Sequence, residues 1–397
     1  LDYHATTPCD PAVLEAMLPW FSMDFGNASS RQHVFGWKAA EAVKRAREQV
    51  ASLVDASPDE IIFTSGATES VNLAVKGSAE MLGQKGRHII TVQTEHSAVL
   101  DTCTRLEKSG FEITRLGVDQ QGAIDSDELA ASIRADTILV AVMMANNETG
   151  VIQDMAAISA ITRAKGVWFF TDATQAVGKV PVSVRAPDVD LMAFSAHKLY
   201  GPKGTGALYI RRRDPRVRLM PLIDGGGHER GLRSGTLNVP GIVGFGEAAR
   251  LAAHRLPTDM PAIESQRDRF EASMGALEEV YINGRGGTRL PTVSNISFRY
   301  TEGPALLAAV TKELAVSAGS ACASASLEPS HVLASMGLGR DLAFASLRFS
   351  LGRLTTPEDM DRAYRVLSEN LESVRKGSPS WGFYKQGLLG EAPEWSL

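Results

Sequence analysis

Ser195-Ala196-His197-Lys198 directly follows the apolar run Leu191-Met192-Ala193-Phe194. A lysine at the mouth of a buried strand loses hydration, which is costly unless the amine has work to do. An amine so placed can form a Schiff base with an aldehyde cofactor, and Ser195 and His197 offer hydrogen bonds to a phosphate. Taken alone, the motif reads equally as a surface lysine, the commoner fate of that residue. Asp172 follows another apolar run, Val167 to Thr171. A carboxylate opposite a pyridine nitrogen keeps that nitrogen protonated and the ring electron-withdrawing; the plain alternative is a helix cap. Asp172 and Lys198 stand 26 residues apart, each just beyond one of two consecutive strands. That spacing brings both to the carboxyl rim of one sheet, where open α/β sheets bind ligands.

Further residues suit the same rim. Ser65-Gly66-Ala67-Thr68-Glu69-Ser70 lies between a strand and a helix. Its backbone N–H groups can meet an anion at the helix start, with Thr68 adding a hydroxyl. Gly201 to Gly206 superficially matches a dinucleotide fingerprint but precedes a strand, so that reading is rejected. His96 can stack on a ring or move protons, or be a satisfied core histidine. Asn147 and Gln175 follow two further strands and can hydrogen-bond a phenolic oxygen, or simply form turns. Arg348, inside a strand candidate, can grip a carboxylate bidentately or make a surface salt bridge. Cys103 falls on the apolar face of a helix and reads as core. Cys9 precedes a helix cap with no evident chemistry. Cys322 lies in a Ser/Ala/Gly-rich stretch, 317–326, expected to be mobile; a thiol there suits a group that must travel, or is incidental.

The elements that must position these residues alternate. Short apolar strands at 61–65, 88–92, 138–142, 167–171, 191–194 and 207–210 are separated by helical patterns. Such alternation means a mostly parallel sheet covered on both faces. After about Gly244 helical stretches dominate, with strand candidates at 293–298 and 347–350 and a strong helix start at Thr356-Pro357-Glu358-Asp359. A large α/β domain followed by a smaller α+β domain is expected.

Composition narrows the classes. The 397 residues carry 41 basic against 46 acidic side chains, a net charge of −5. Nucleic acid is not an expected partner. No apolar run of about 18 residues appears, so no membrane span is expected. Three cysteines without paired spacing argue against a disulfide framework or zinc site and for a reducing compartment. Leu1-Asp2-Tyr3-His4 opens with neither a basic nor an apolar leader region, so no secretory signal is expected.

Read together, Thr64 to Ser70, Thr94-Glu95-His96, Asn146-Asn147-Glu148, Asp172 to Gln175, Ser195 to Lys198, Gly225 to Thr236 and Ser317 to Cys322 form an ordered set. The set resembles the cysteine desulfurases of iron–sulfur cluster assembly, IscS/NifS-like members of the class V aminotransferases, and the likeness runs from Leu1 to near Trp395. The resemblance implies the fold type I of pyridoxal-phosphate transferases. It implies a large cofactor domain over 12–250 and a small domain of 1–11 and 251–397, with a mobile cysteine loop at 317–328 and a tail at 379–397. It also implies a homodimer with active sites near the subunit interface.

By the same resemblance Lys198 holds pyridoxal 5'-phosphate, Asp172 meets the pyridine nitrogen, and His96 stacks on the ring and moves protons. Asn147 and Gln175 hold ring substituents, and Asn147 also lies against substrate. Ala67, Thr68, Ser195 and His197 cradle the phosphate, with Thr236 reaching in from the other subunit. Arg348 binds the carboxylate of L-cysteine, and Cys322 receives its sulfur as a persulfide. That sulfur then passes to an iron–sulfur scaffold or other acceptors, with Cys322 a potential ligand of a transient cluster shared with the scaffold. Selenocysteine lyase or another class V activity is the alternative. The implied compartment is the cytoplasm, or the mitochondrial matrix in a eukaryote. Ala196 stands where the family usually carries glycine; a methyl there can crowd the phosphate loop, although the backbone contacts need not be lost. The aromatic tail either packs on its own domain or docks the scaffold.

Overall fold

The computed structural model describes residues 1–318 and 329–389. Seven strands form the main sheet: β1 (Ile61–Thr64), β2 (His88–Val92), β3 (Glu112–Leu116), β4 (Thr137–Ala141), β5 (Trp168–Asp172), β6 (Leu191–Ser195) and β7 (Gly206–Ile210). Their order is β1-β7-β6-β5-β4-β2-β3. Only β7 runs against the rest, because a short connection returns the chain from β6 antiparallel to it, Ser195 opposite Gly206. The sheet is mostly parallel, as the alternation predicts, and the β6–β7 connection carries Lys198.

Side chains along each strand alternate between two cores, as a pleated strand covered on both faces requires. Phe63, Ile90, Val140, Phe169 and Met192 enter one core with the helices Val34–Leu53, Met155–Lys165 and Val239–Gly275. Ile62, Ile89, Leu139, Phe170 and Leu191 enter the other with the helices Ala67–Leu82 and Ser97–Glu107. Cys103 is fully buried there, its thiol pushed up to about 12 chiefly by burial, as a core residue should be. The helix Val239–Gly275 runs on through Pro257 and Pro261, prolines that usually interrupt helices.

Three more strands, β8 (Val280–Asn283), β9 (Val293–Phe298) and β10 (Ser346–Ser350), form an antiparallel sheet ordered β10-β9-β8. The helix Pro357–Lys376 covers it and begins with the capping box expected at Thr356 and Asp359. The described part of the tail packs on its own chain. Tyr384 stacks on Tyr300 at 4.7 Å, and Arg375 lies 4.3 Å from the Trp381 ring centroid. Phe383 remains exposed, and Trp395 lies outside the described residues.

Candidate active site

At the carboxyl rim of the parallel strands lies a cavity of about 510 Å³. Ala67, Thr68, His96, Asn147, Asp172, Gln175, Ser195, His197, Lys198 and Arg348 all line it. Of the residues singled out from sequence, Thr236 is exposed away from this cavity and Cys322 lies outside the described residues.

The anion end is built by backbone. Gly66 opens the helix Ala67–Leu82 without a side-chain cap, which leaves first-turn N–H groups for an anion. A side chain at Gly206 would come within 2.6 Å of the Gly66 backbone, so glycine lets β7 pack under this turn. Glu69 steadies the turn by accepting the Ser65 N–H at 2.8 Å and Arg233 Nε at 2.9 Å. Ala196 does not crowd the cavity. Its methyl is fully buried in the sheet core, and the chain makes room with Gly201, where a side chain would approach it to 2.9 Å. The methyl points into the core and not at the phosphate loop.

Asp172 ends β5 with one oxygen, Oδ1, accepting the Thr174 N–H at 2.9 Å; among the described residues no bond reaches Oδ2. Thr174 Oγ1 is itself buried beside the cavity without a partner. His96 caps the helix Ser97–Glu107, Nδ1 accepting the Ala98 N–H at 3.1 Å. The proton of its neutral ring therefore sits on Nε2. Arg348 is buried, not in a surface salt bridge. Its Nη atoms reach Asn147 O (3.1 Å), Asp2 Oδ1 (2.9 Å) and Ser317 Oγ (3.2 Å), while Nε is buried with no partner. A buried guanidinium with a donor to spare fits a carboxylate guest.

Lys198 Nζ donates to the carbonyls of His4 (2.5 Å) and Ala5 (2.8 Å). This N-terminal segment is a wall of the site that sequence reasoning missed, because nothing local to it signals contact with a strand end nearly 200 residues away. His4 is buried, and burial first, then the charges of Lys179 and Arg348, holds its imidazole well below the usual value. Its Nδ1–H donates to Asn147 O (3.2 Å) and Nε2 accepts from Thr292 Oγ1 (2.9 Å). Glu95, next to His96, is buried too. Its carboxyl is pushed well above the usual range by burial and accepts the Met143 N–H.

His197 is lowered from 6.5 to about 4 by burial, with Lys198, Lys203 and Lys179 adding repulsion. The unfolded chain takes up this proton near pH 6.5 and the fold takes it up only near pH 4. The stability it contributes is complete above the first value and is lost as pH falls through that window. The melting temperature of cofactor-free protein is therefore expected to fall less across this window in His197→Asn than in the native chain. Identical falls would place the proton uptake elsewhere.

The residues suit pyridoxal phosphate: an amine, a carboxylate oxygen to spare, an unpartnered buried hydroxyl and an uncapped helix start share one cavity. An aldehyde, a pyridine nitrogen and a phosphate are the groups such a set can hold. The aminotransferase class-V family model matches residues 1–363. The chain belongs to that family, among its IscS/NifS-like cysteine desulfurases. It is 54% identical to proteins named cysteine desulfurase IscS from Anaeromyxobacter sp. (strain Fw109-5) and from Escherichia coli (strain K12 / DH10B), covering 100% of this chain and 98% of each relative. Among solved structures, a NifS-like protein superposes with TM-score 0.86 at 37% identity, over 94% of this chain and 98% of that one. A NifS-like protein from Rickettsia africae ESF-5 gives TM-score 0.84 at 30% identity, over 94% and 99%. The main sheet and its covering helices are those of the fold type I pyridoxal-phosphate transferases.

Proposed function

We propose that this chain is a cysteine desulfurase that uses pyridoxal 5'-phosphate to take sulfur from L-cysteine, leaving L-alanine. The observation that carries the reading is the meeting of Lys198, Asp172, His96 and Arg348 in one cavity with the uncapped helix start at Gly66. When bound, the cofactor supplies an electron sink for the charge left when the substrate's α-proton departs.

The chain's own residues do the rest. Arg348 binds the substrate carboxylate, offering its unpartnered Nε and exchanging contacts now made to Asp2 and Ser317. Lys198 would hold the cofactor's aldehyde through Nζ and would move the substrate's proton at that atom. Asp172 would offer Oδ2 to the pyridine nitrogen, and Asn147 and Gln175 would hold ring substituents. His96, with Nδ1 committed to Ala98, gives and takes a proton at Nε2. The thiolate of Cys322 attacks the substrate sulfur. An S–S bond forms as the substrate C–S bond breaks with its electron pair left on carbon; one proton added at that carbon and one returned to the α-carbon complete alanine. The persulfide then passes to an iron–sulfur scaffold or another acceptor, where Cys322 can ligate the nascent cluster.

The same reading divides the chain into a cofactor domain at 12–250 and a small domain of 1–11 and 251–397. It also makes the working unit a homodimer in the cytoplasm. Leu14, Leu18, Phe21, Met23, Phe25, Phe35 and Trp37 are exposed within one stretch of the chain, an apolar surface that a second copy would cover. Thr236, exposed on its own chain, is then free to reach the other subunit's phosphate site. None of the helices described is long and apolar enough to cross a membrane.

The deciding assay gives purified protein pyridoxal phosphate, L-cysteine and a thiol reductant and measures alanine and sulfide. Equal amounts of both are expected. Alanine from L-selenocysteine but not from L-cysteine would overturn the reading. Arg348→Lys, which cannot reproduce the buried fork, is expected to lower kcat/KM for L-cysteine by about 100-fold, mostly through KM. An unchanged KM would remove Arg348 from substrate binding.

A further inference from the structure

Lys179 is a fully buried lysine outside the steps described above. It lies seven residues beyond Asp172, in the connection from β5 to β6. Its Nζ donates to Gln175 Oε1 at 2.5 Å. Gln175 Nε2 donates in turn to the His4 carbonyl at 3.1 Å, and that same carbonyl receives Lys198 Nζ at 2.5 Å. A carbonyl only accepts, so Nε2 must be the end of the amide at His4, and Oε1 must face Lys179. No carboxylate is paired with Lys179 among the described residues. Burial, reinforced by Lys198 and Arg348, keeps its amine well below the usual lysine range. An amine kept at such cost of desolvation needs a compensating role.

We propose that Lys179 is a positioning residue for cofactor capture: by holding Gln175 Oε1 it locks the amide with Nε2 turned to the His4 carbonyl, the acceptor that also holds Lys198. The inference rests on the cofactor reading above. With Lys179 in place, Gln175 presents an N–H donor toward the cavity and His4 O stays fixed between two donors. Without it the amide is free to turn over, which would set an oxygen against the ring's phenolic oxygen and release the carbonyl that aims Lys198.

The test is a double-mutant cycle read by pyridoxal-phosphate affinity, from the visible absorbance band on titrating cofactor-free protein. Lys179→Met and Gln175→Leu are each expected to weaken affinity about tenfold, in line with one lost buried hydrogen bond. The double variant is expected to lose about tenfold as well, because both changes remove the same interaction. A product of the two effects, about 100-fold, would overturn the inference, as would native affinity in Lys179→Met. Native protein that shows no band overturns the cofactor reading itself, whereas a native band with additive variants overturns only the role of Lys179. Lys179→Met keeps the length of the stem and removes a desolvated amine, so its melting temperature should hold. Should it fail to fold, Lys179→Arg keeps a donor, and a void of about 30 Å³ beside Lys179 and Tyr200 gives it room. That variant is expected within about threefold of native affinity; a tenfold loss at native melting temperature would overturn the inference.

Discussion

Lys198→Ala is expected to abolish the visible absorbance band that the native protein gains with pyridoxal phosphate, and to cut alanine formation by on the order of 10⁴-fold or more. The size follows from two losses at once. The variant has no amine to hold the aldehyde, and no Nζ to move the substrate's proton. The fold should survive, because Lys198 is half-buried and donates to two carbonyls of the His4–Ala5 segment. Those carbonyls face a cavity and can be hydrated. Equal melting curves for cofactor-free native and variant proteins would establish that the lost band reflects chemistry. A variant that keeps the band would displace Lys198 from its role, and the buried amine of Lys179 would be the next residue to test.

Cys322→Ser is expected to do the opposite to the spectrum and the same to the product. The band should be native, since no cofactor contact is assigned to residue 322. Sulfide and persulfide formation from L-cysteine should fall by at least about 10³-fold, because a hydroxyl at neutral pH is not a comparable nucleophile toward sulfur. Substrate should still bind, so adding L-cysteine should still change the absorbance band. That pairing of an intact spectral response with absent product separates loss of the sulfur acceptor from damage to the site. Normal desulfuration by Cys322→Ser would end the persulfide mechanism.

Much of this site is legible in the sequence. Apolar runs of four or five residues ending in Asp172 and Ser195 mark parallel strands, and parallel strands put their carboxyl ends on one rim. Gly66 and its small neighbours mark the helix start that meets an anion. These signals are local, and they hold because a pleat or a helix turn spans only a few residues. What escaped depends on contacts across the chain. His4 shows no pattern that would bring it to Lys198, and Lys179 looks like any lysine in a turn. Arg47 offers no hint that it pairs with Glu229 to pin the segment before Thr236, although Glu229 is buried and the two meet at 2.5 Å. The room for the Ala196 methyl is non-local in the same way: it comes from Gly201, five residues on, and no local pattern marks that contact.

The wall formed by His4 and Ala5 has a consequence for the timing of synthesis. Asp2 bridges to Ser350 and pairs with Arg348, and the His4 N–H donates to Ser350 Oγ at 2.9 Å across 346 residues of chain. Residues 2–4 therefore wait for β10 before they find their partners. Closing so long a loop adds an entropic cost that grows only slowly with length, but it cannot begin until β10 is out. The main sheet can form with Lys198 in place much earlier, as its strands end at Ile210. A nascent chain can thus own the amine of Lys198 well before it owns a finished pocket, whose closing wall waits for β10.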